Sequence, residues 1–212
     1  MRRLPVYLVL DTSGSMQGEP IEAVRTGMQN LLAALRQDPY ALESAWLSVI
    51  TFSGQAEQLV PLTELSQFQI PAITATGVTA MGGALNLLAE RVAHEVVKTT
   101  AEQKGDWKPV VFLMTDGLAT DDVEAGIEAI KQARIGTFVA CAAGPHADTK
   151  DLLRITESVV RLDTADSSTI KAFFKWVSAS IAVTSQRVDL TKKELNGLGD
   201  LPPPPPEINI VH

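Results

Sequence analysis

Short apolar runs that alternate with amphipathic helical segments constrain the fold of this chain more than any other feature. Residues 4–10, 45–52, 109–114, 136–142 and 159–162 are dominated by Val, Ile, Leu, Phe and Ala with little polar alternation, the pattern of strands buried on both faces. Helical periodicity separates them. Residues 19–35 place Ile21, Val24, Met28, Leu31, Leu32 and Leu35 on one face, and residues 80–97 do the same with Leu85, Leu88, Ala89 and Val92. Residues 121–134 predict a helix with an acidic first turn, which suits the helix dipole, and residues 148–155 a shorter one. Ile170, Phe173, Phe174, Val177 and Ile181 predict an amphipathic closing helix. One connection differs: only Ser53-Gly54 and its neighbours join residues 45–52 to a short strand at 56–62, so that pair must be antiparallel. The pattern predicts an α/β fold, with a mostly parallel sheet covered by helices on both faces.

Size and charge limit what such a fold is for. The chain has 212 residues, 45% of them apolar, enough for one full core, expected over residues 1–184, with a tail at 185–212. Lys plus Arg number 18 against 25 Asp plus Glu, a net charge of −7, which argues against nucleic acid as the main partner because phosphate binding needs a basic face. The single cysteine, Cys141, excludes an internal disulfide and a Cys-rich zinc site and reads as a small core residue. No run reaches the roughly 20 apolar residues that span a bilayer. Met1-Arg2-Arg3 and the apolar stretch after it mimic a signal peptide, but the stretch stops at Asp11 without a small-residue cleavage site, so a first strand and a cytoplasmic location are expected.

The tail is compositionally distinct. Residues 189–197 are compatible with a helical turn or more, and Pro202 to Pro206 favour stiff, extended polyproline II. Residues 207–212 alternate weakly, like an edge strand. A disordered terminus and a strand added to a sheet edge, this domain's own or a partner's, both fit that pattern.

The chemistry concentrates at three loops. Asp11-Thr12-Ser13-Gly14-Ser15 follows the first apolar run directly and puts one carboxylate and two hydroxyls on a tight loop. Thr79 precedes a mid-chain helix, and Asp116 follows the strand at 109–114 within Thr115-Asp116-Gly117. Each piece alone is explained as a cap or turn residue. Ligands of parallel α/β sheets bind beyond the carboxyl ends of the strands, where strand order reverses. If the first and fourth strands flank that reversal, all three loops converge there. Two carboxylates and three hydroxyls are hard oxygen donors, suited to Mg²⁺ or Mn²⁺.

With these residues the chain resembles a von Willebrand factor A domain over about residues 4–183. Asp11, Ser13, Ser15, Thr79 and Asp116 match that family's metal-ion-dependent adhesion site without departure. Leu10-Asp11-Thr12-Ser13-Gly14-Ser15-Met16 and Thr79-Ala80-Met81-Gly82-Gly83-Ala84-Leu85 are most similar to the TerY-type proteins of bacterial tellurite-resistance and stress-response systems. The resemblance implies a doubly wound, Rossmann-like, six-stranded sheet with one antiparallel edge strand. It implies metal-dependent protein binding rather than catalysis, with Mg²⁺ (or Mn²⁺) meeting an Asp or Glu of a partner protein, and the TerY likeness points to a kinase and phosphatase signalling module. The residues support binding: Ser13 and Ser15 are neutral and leave a cation electrophilic.

Two alternatives remain. A metal-dependent phosphohydrolase would want a second Asp where Ser13 stands and a general base, and no Gly-rich phosphate loop with Lys is present. A structural scaffold would use its metal only to stabilise loops. Of the histidines, His94 is expected on a solvated helix face, His146 on a loop near the rim, and His212 ends the sequence. Met16 and Met81 either pack beneath the metal loops or form an apolar contact rim, and Asp121 and Asp122 read as a helix start.

Overall fold

In the computed structural model, which describes residues 2–191 and 197–211, the first apolar run is a strand buried along its whole length, β1 (Leu4–Asp11). It pairs in parallel with β2 (Ala45–Phe52) on one side and β4 (Val110–Thr115) on the other. β3 (Ala56–Glu64) returns antiparallel along β2, as the short turn requires. β5 (Thr137–Ala143) and β6 (Val159–Leu162) extend the sheet in parallel beyond β4. With a last strand, β7 (Asn209–Val211), the strand order is β3-β2-β1-β4-β5-β6-β7, so the chain reverses direction of growth between β1 and β4.

Alternate side chains of each strand feed two cores. Val6, Leu8 and Leu10 of β1 and Phe112 and Met114 of β4 face α1 (Glu19–Gln37) and α6 (Ser167–Thr191). Tyr7, Val9, Val111 and Leu113 face α3 (Met81–Glu95), α4 (Glu124–Gln132) and α5 (Lys150–Ile155). Gly27 lets α1 and α6 touch: a Cβ there would lie 2.4 Å from the Phe174 ring. No helix among the described residues is long and apolar enough to cross a membrane.

A short helix, α2 (Pro39–Ser44), has no counterpart in the sequence periodicity. Six residues are too few to show a repeat, and the helix is set instead by its start: Pro39 fixes the first turn and the Asp38 carboxylate accepts from the Ala41 N–H at 2.8 Å.

The sheet is one strand wider than six, and both of its edges are antiparallel. β7 (Asn209–Val211) pairs with β6, opposing Val211 to Val159 and Ile210 to Val160. The tail is fastened before it reaches that edge. Arg187 bonds Asp200 at 2.7 Å, Leu201 and Ile208 are buried, and the Trp176 indole N–H donates to the Pro202 carbonyl at 2.9 Å. Residue 184 lies inside α6, which continues to Thr191; of the helical turn expected over 189–197, residues 192–196 lie outside the described residues.

Candidate metal centre

The site forms where β1 and β4 end side by side. Asp11, the last residue of β1, is buried, and its carboxylate is held on both oxygens: Oδ1 accepts from the Ser13 N–H at 2.8 Å and Oδ2 from the Thr115 hydroxyl at 2.6 Å. Thr115 is the last residue of β4, so this bond ties the two strands that flank the reversal. The loop then winds into a 3-10 turn, Gly14–Met16, which brings the Ser13 and Ser15 hydroxyls 3.0 Å apart. Ser15 donates onward to Asp116 Oδ1 at 2.7 Å. Four of the five expected residues thus lie on one hydrogen-bonded chain.

Thr79 reaches the same place from the second loop. Its hydroxyl oxygen lies 3.6 Å from where a Cβ of Gly117 would stand. Two bonds to Thr120 fix it: the Thr79 N–H donates to the Thr120 hydroxyl at 3.1 Å, and the Thr120 N–H to the Thr79 carbonyl at 2.9 Å. The loop before it is laced to the first loop by Thr76 N–H to Thr12 C=O at 2.8 Å and Gly14 N–H to Gly77 C=O at 2.9 Å. Gly77 has φ +75°, a left-handed backbone that favours glycine, and a Cβ there would press on the Gly54 N at 3.2 Å.

The electrostatics favour a cation. Burial pushes the Asp116 carboxyl above its ordinary pKa, and the charge of Asp11 adds to the shift; the Ser15 hydrogen bond and His146 pull the other way. Among the described residues neither Asp11 nor Asp116 is paired with a Lys or Arg, and no cluster of three or more His, Cys, Asp or Glu could hold a metal elsewhere. The donors fit a small hard ion. Neighbouring ligands of an octahedral Mg²⁺, bound at about 2.1 Å, stand about 3 Å apart, and the Ser13–Ser15 and Ser15–Asp116 oxygens are separated by 3.0 and 2.7 Å.

Several surrounding residues play parts different from those read in the sequence. Met16 and Met81 are both buried, so they pack under the loops and do not form a rim. Asp121 does not start α4. Its two oxygens accept from the Gly82 and Gly83 N–H groups at 2.9 and 2.8 Å and so cap α3, while Asp122 accepts from Glu124 N–H at the true start of α4. Thr115, Thr120 and Thr12, whose hydroxyl donates to the Phe52 carbonyl at 3.2 Å, brace the site without standing in the motif. The one sequence signal for Thr115 is a hydroxyl at the end of an apolar run beside an Asp. His94 and His146 are exposed.

Comparison with known proteins agrees with this geometry. The von Willebrand factor type A domain family matches residues 6–175. An uncharacterized protein of Synechocystis sp. is 32% identical over 123 residues, 55% of this chain but 26% of the relative. Among solved structures, proximal thread matrix protein 1 of the mussel byssus, with a zinc-occupied MIDAS motif, has a TM-score of 0.60 at 19% identity, covering 84% of this chain and 45% of that one. The pilus adhesin SpaC of Lactobacillus rhamnosus GG has a TM-score of 0.64 at 17% identity, covering 86% and 31%. These likenesses show the fold, and the chain spans about a quarter of the curated relative it matches. Adhesion motifs of such domains bind divalent metals, and the domains mediate protein–protein binding. This chain belongs to the von Willebrand factor type A domain family.

Proposed function

We propose that this chain is a non-enzymatic, Mg²⁺-dependent protein-binding module that engages an Asp or Glu of a partner. The observation that carries the reading is the hydrogen-bonded chain of oxygens from Asp11 through Ser13 and Ser15 to Asp116, with Thr79 beside it and no basic side chain pairing with either carboxylate among the described residues. Asp11, Ser13, Ser15, Thr79 and Asp116 would hold the ion. A bound Mg²⁺ or Mn²⁺ supplies an electrophilic centre for an outside carboxylate.

The chain's own residues do the rest. Thr115 and the Ser13 N–H orient Asp11, Ser15 orients Asp116, and Thr120 holds Thr79 by two bonds. These bonds join the loops through the chain's own groups. A phosphohydrolase needs a proton acceptor at the reacting atoms. No histidine is hydrogen-bonded to the site residues among the described residues, and Ser13 occupies the place of the second Asp such an enzyme would use.

The narrower reading, a cytoplasmic TerY-type component of a tellurite-resistance and stress-response system with a kinase and phosphatase module as partner, is supported by the residues around the first two loops. The test is capture of partner proteins from a bacterial lysate by the tagged chain in Mg²⁺, in chelator and in Mg²⁺ with high acetate, alongside an assay with p-nitrophenyl phosphate. The expected result is capture in Mg²⁺ that chelator abolishes and acetate weakens, with no phosphate release. Capture equal in chelator and Mg²⁺, or phosphatase turnover lost in Asp11→Ala, would overturn the proposal.

A further inference from the structure

A cavity of about 270 Å³ lies at the end of the sheet opposite the metal loops. Arg2 and Pro109, which line it, precede β1 and β4, whereas Asp11 and Asp116 stand where those strands end, about 20 Å away along β4. Part of the lining is apolar: Val92 and Trp107 are buried, and Val96 and Ala133 line the space with them. Arg2, Lys98, Lys108 and Arg134 line it too, against one acidic residue, Asp106, among the described residues. A cation after a helix end is ordinary, because it meets the dipole, and Lys98 and Arg134 follow α3 and α4 in that way. Convergence is what sets this place apart. Arg2 leads into β1 and Lys108 into β4, so four segments bring positive charge to one concavity of a chain whose net charge is −7.

Hydrogen bonds fix the wall. The Asp106 carboxylate is taken up within the fold: Arg3 Nε donates to Oδ1 at 3.0 Å, and Arg3 Nη2 and the Val97 N–H donate to Oδ2 at 2.6 and 2.8 Å. Arg2 is held over the Trp107 ring, 3.6 Å from its centroid, and donates to the neutral Gly105 and Asp106 carbonyls at 2.7 and 3.1 Å. The loop between α3 and β4 is closed by the Asp106 N–H on the Val97 carbonyl at 2.9 Å and the Gly105 N–H on the Thr99 hydroxyl at 3.0 Å. A Cβ at Gly105 would lie 2.2 Å from the Val97 carbonyl oxygen, so only glycine lets this loop close.

We propose that this cavity binds a metabolite-sized organic anion with a flat apolar body, an aromatic carboxylate being the simplest example. The site is separate from the metal centre and does not depend on the adhesion reading. Its volume lies just under the roughly 300–1,000 Å³ of pockets for drug-sized ligands, and an apolar lining with a few placed polar groups is the usual make-up of such pockets. Charge complementarity sets the head of the ligand, because guanidinium and ammonium groups form charge-assisted hydrogen bonds with a carboxylate. The indole and the aliphatic side chains set the body, since a ring laid on them removes apolar area from water. A small inorganic anion leaves that lining wet, and a neutral aromatic leaves the four cations without a counter-charge.

Three probes separate head from body. Benzoate, its neutral counterpart benzamide, and acetate are titrated into the full chain in chelator, which keeps divalent ions from the adhesion site, and followed by protein-detected NMR. Benzoate is expected to shift the Trp107 indole and backbone N–H signals and to leave residues 11–15 unmoved. Benzamide should bind about fivefold more weakly, the scale of one partly exposed ion pair. Acetate should bind more weakly by at least about tenfold, as burying roughly two methylene equivalents gives. In Lys98→Gln/Arg134→Gln the advantage of benzoate over benzamide shrinks while benzamide binding holds. In Ala93→Phe, a substitution at an exposed lining residue, both aromatic probes bind more weakly. Melting curves establish that both variants are folded. Benzoate that binds no tighter than benzamide, shifts that avoid Trp107, or an advantage unchanged by the double substitution overturns the proposal, and none of these outcomes touches the adhesion reading.

Discussion

At the scale of single residues, Asp116 shows how the site opposes its own folding. Its carboxyl is raised above the ordinary value by burial first and also by the charge of Asp11, so the fold binds a proton there more tightly than the unfolded chain does. For an acid raised on folding, stability is greatest at low pH and is lost as pH rises from the unfolded value through the folded one. Asp116→Asn is therefore expected to melt at or above the wild-type temperature in chelator at neutral pH and to show no stabilisation on adding Mg²⁺. A variant that melts lower in chelator and still gains from Mg²⁺ would contradict this. Asp121 has the opposite character, because its two oxygens satisfy two helix-terminal N–H groups. Asp121→Ala should cost about 1–2 kcal/mol in denaturant unfolding, as the loss of a helix cap does.

At the scale of elements, the tail gives the clearest test. Removing residues 201–212 takes away buried Leu201 and Ile208, the indole bond to Pro202 and strand β7. At about 1.5–3 kcal/mol per buried aliphatic side chain, the loss should be about 3 kcal/mol or more. Equilibrium denaturation measures it, and metal affinity should be unchanged because the site lies at the ends of β1 and β4. An unchanged midpoint would mean that the strap contributes nothing. The elements also show what a sequence discloses. The central strands were legible because each is buried on both faces and reads as an apolar run. β7 was only suggested, since three residues on an edge leave a weak alternation that disorder mimics equally well. α2 was illegible for its length. The site residues were legible because five oxygens follow or precede regular elements at fixed places. The roles of Thr115, Thr120 and Asp121 were not, because each acts on a loop distant in sequence, and Met16 and Met81 were ambiguous until packing decided them.

At the scale of the whole molecule, the sheet reverses between β1 and β4, and this brings three loops to one place. The hydrogen bonds that join them span about a hundred residues of sequence, from Asp11 to Thr115 and from Ser15 to Asp116, so the site exists only in the folded chain. A ligand that binds only the folded state must stabilise it, and Mg²⁺ should therefore raise the melting temperature in proportion to the logarithm of its concentration above Kd. The most direct test of the account is calorimetric titration of Mg²⁺ and Mn²⁺ into the wild-type chain and Asp11→Ala, with melting curves to establish that the variant is folded. The account predicts one site in the wild type and loss of measurable binding in the variant. An Asp11→Ala chain that binds either ion as tightly as the wild type would contradict it.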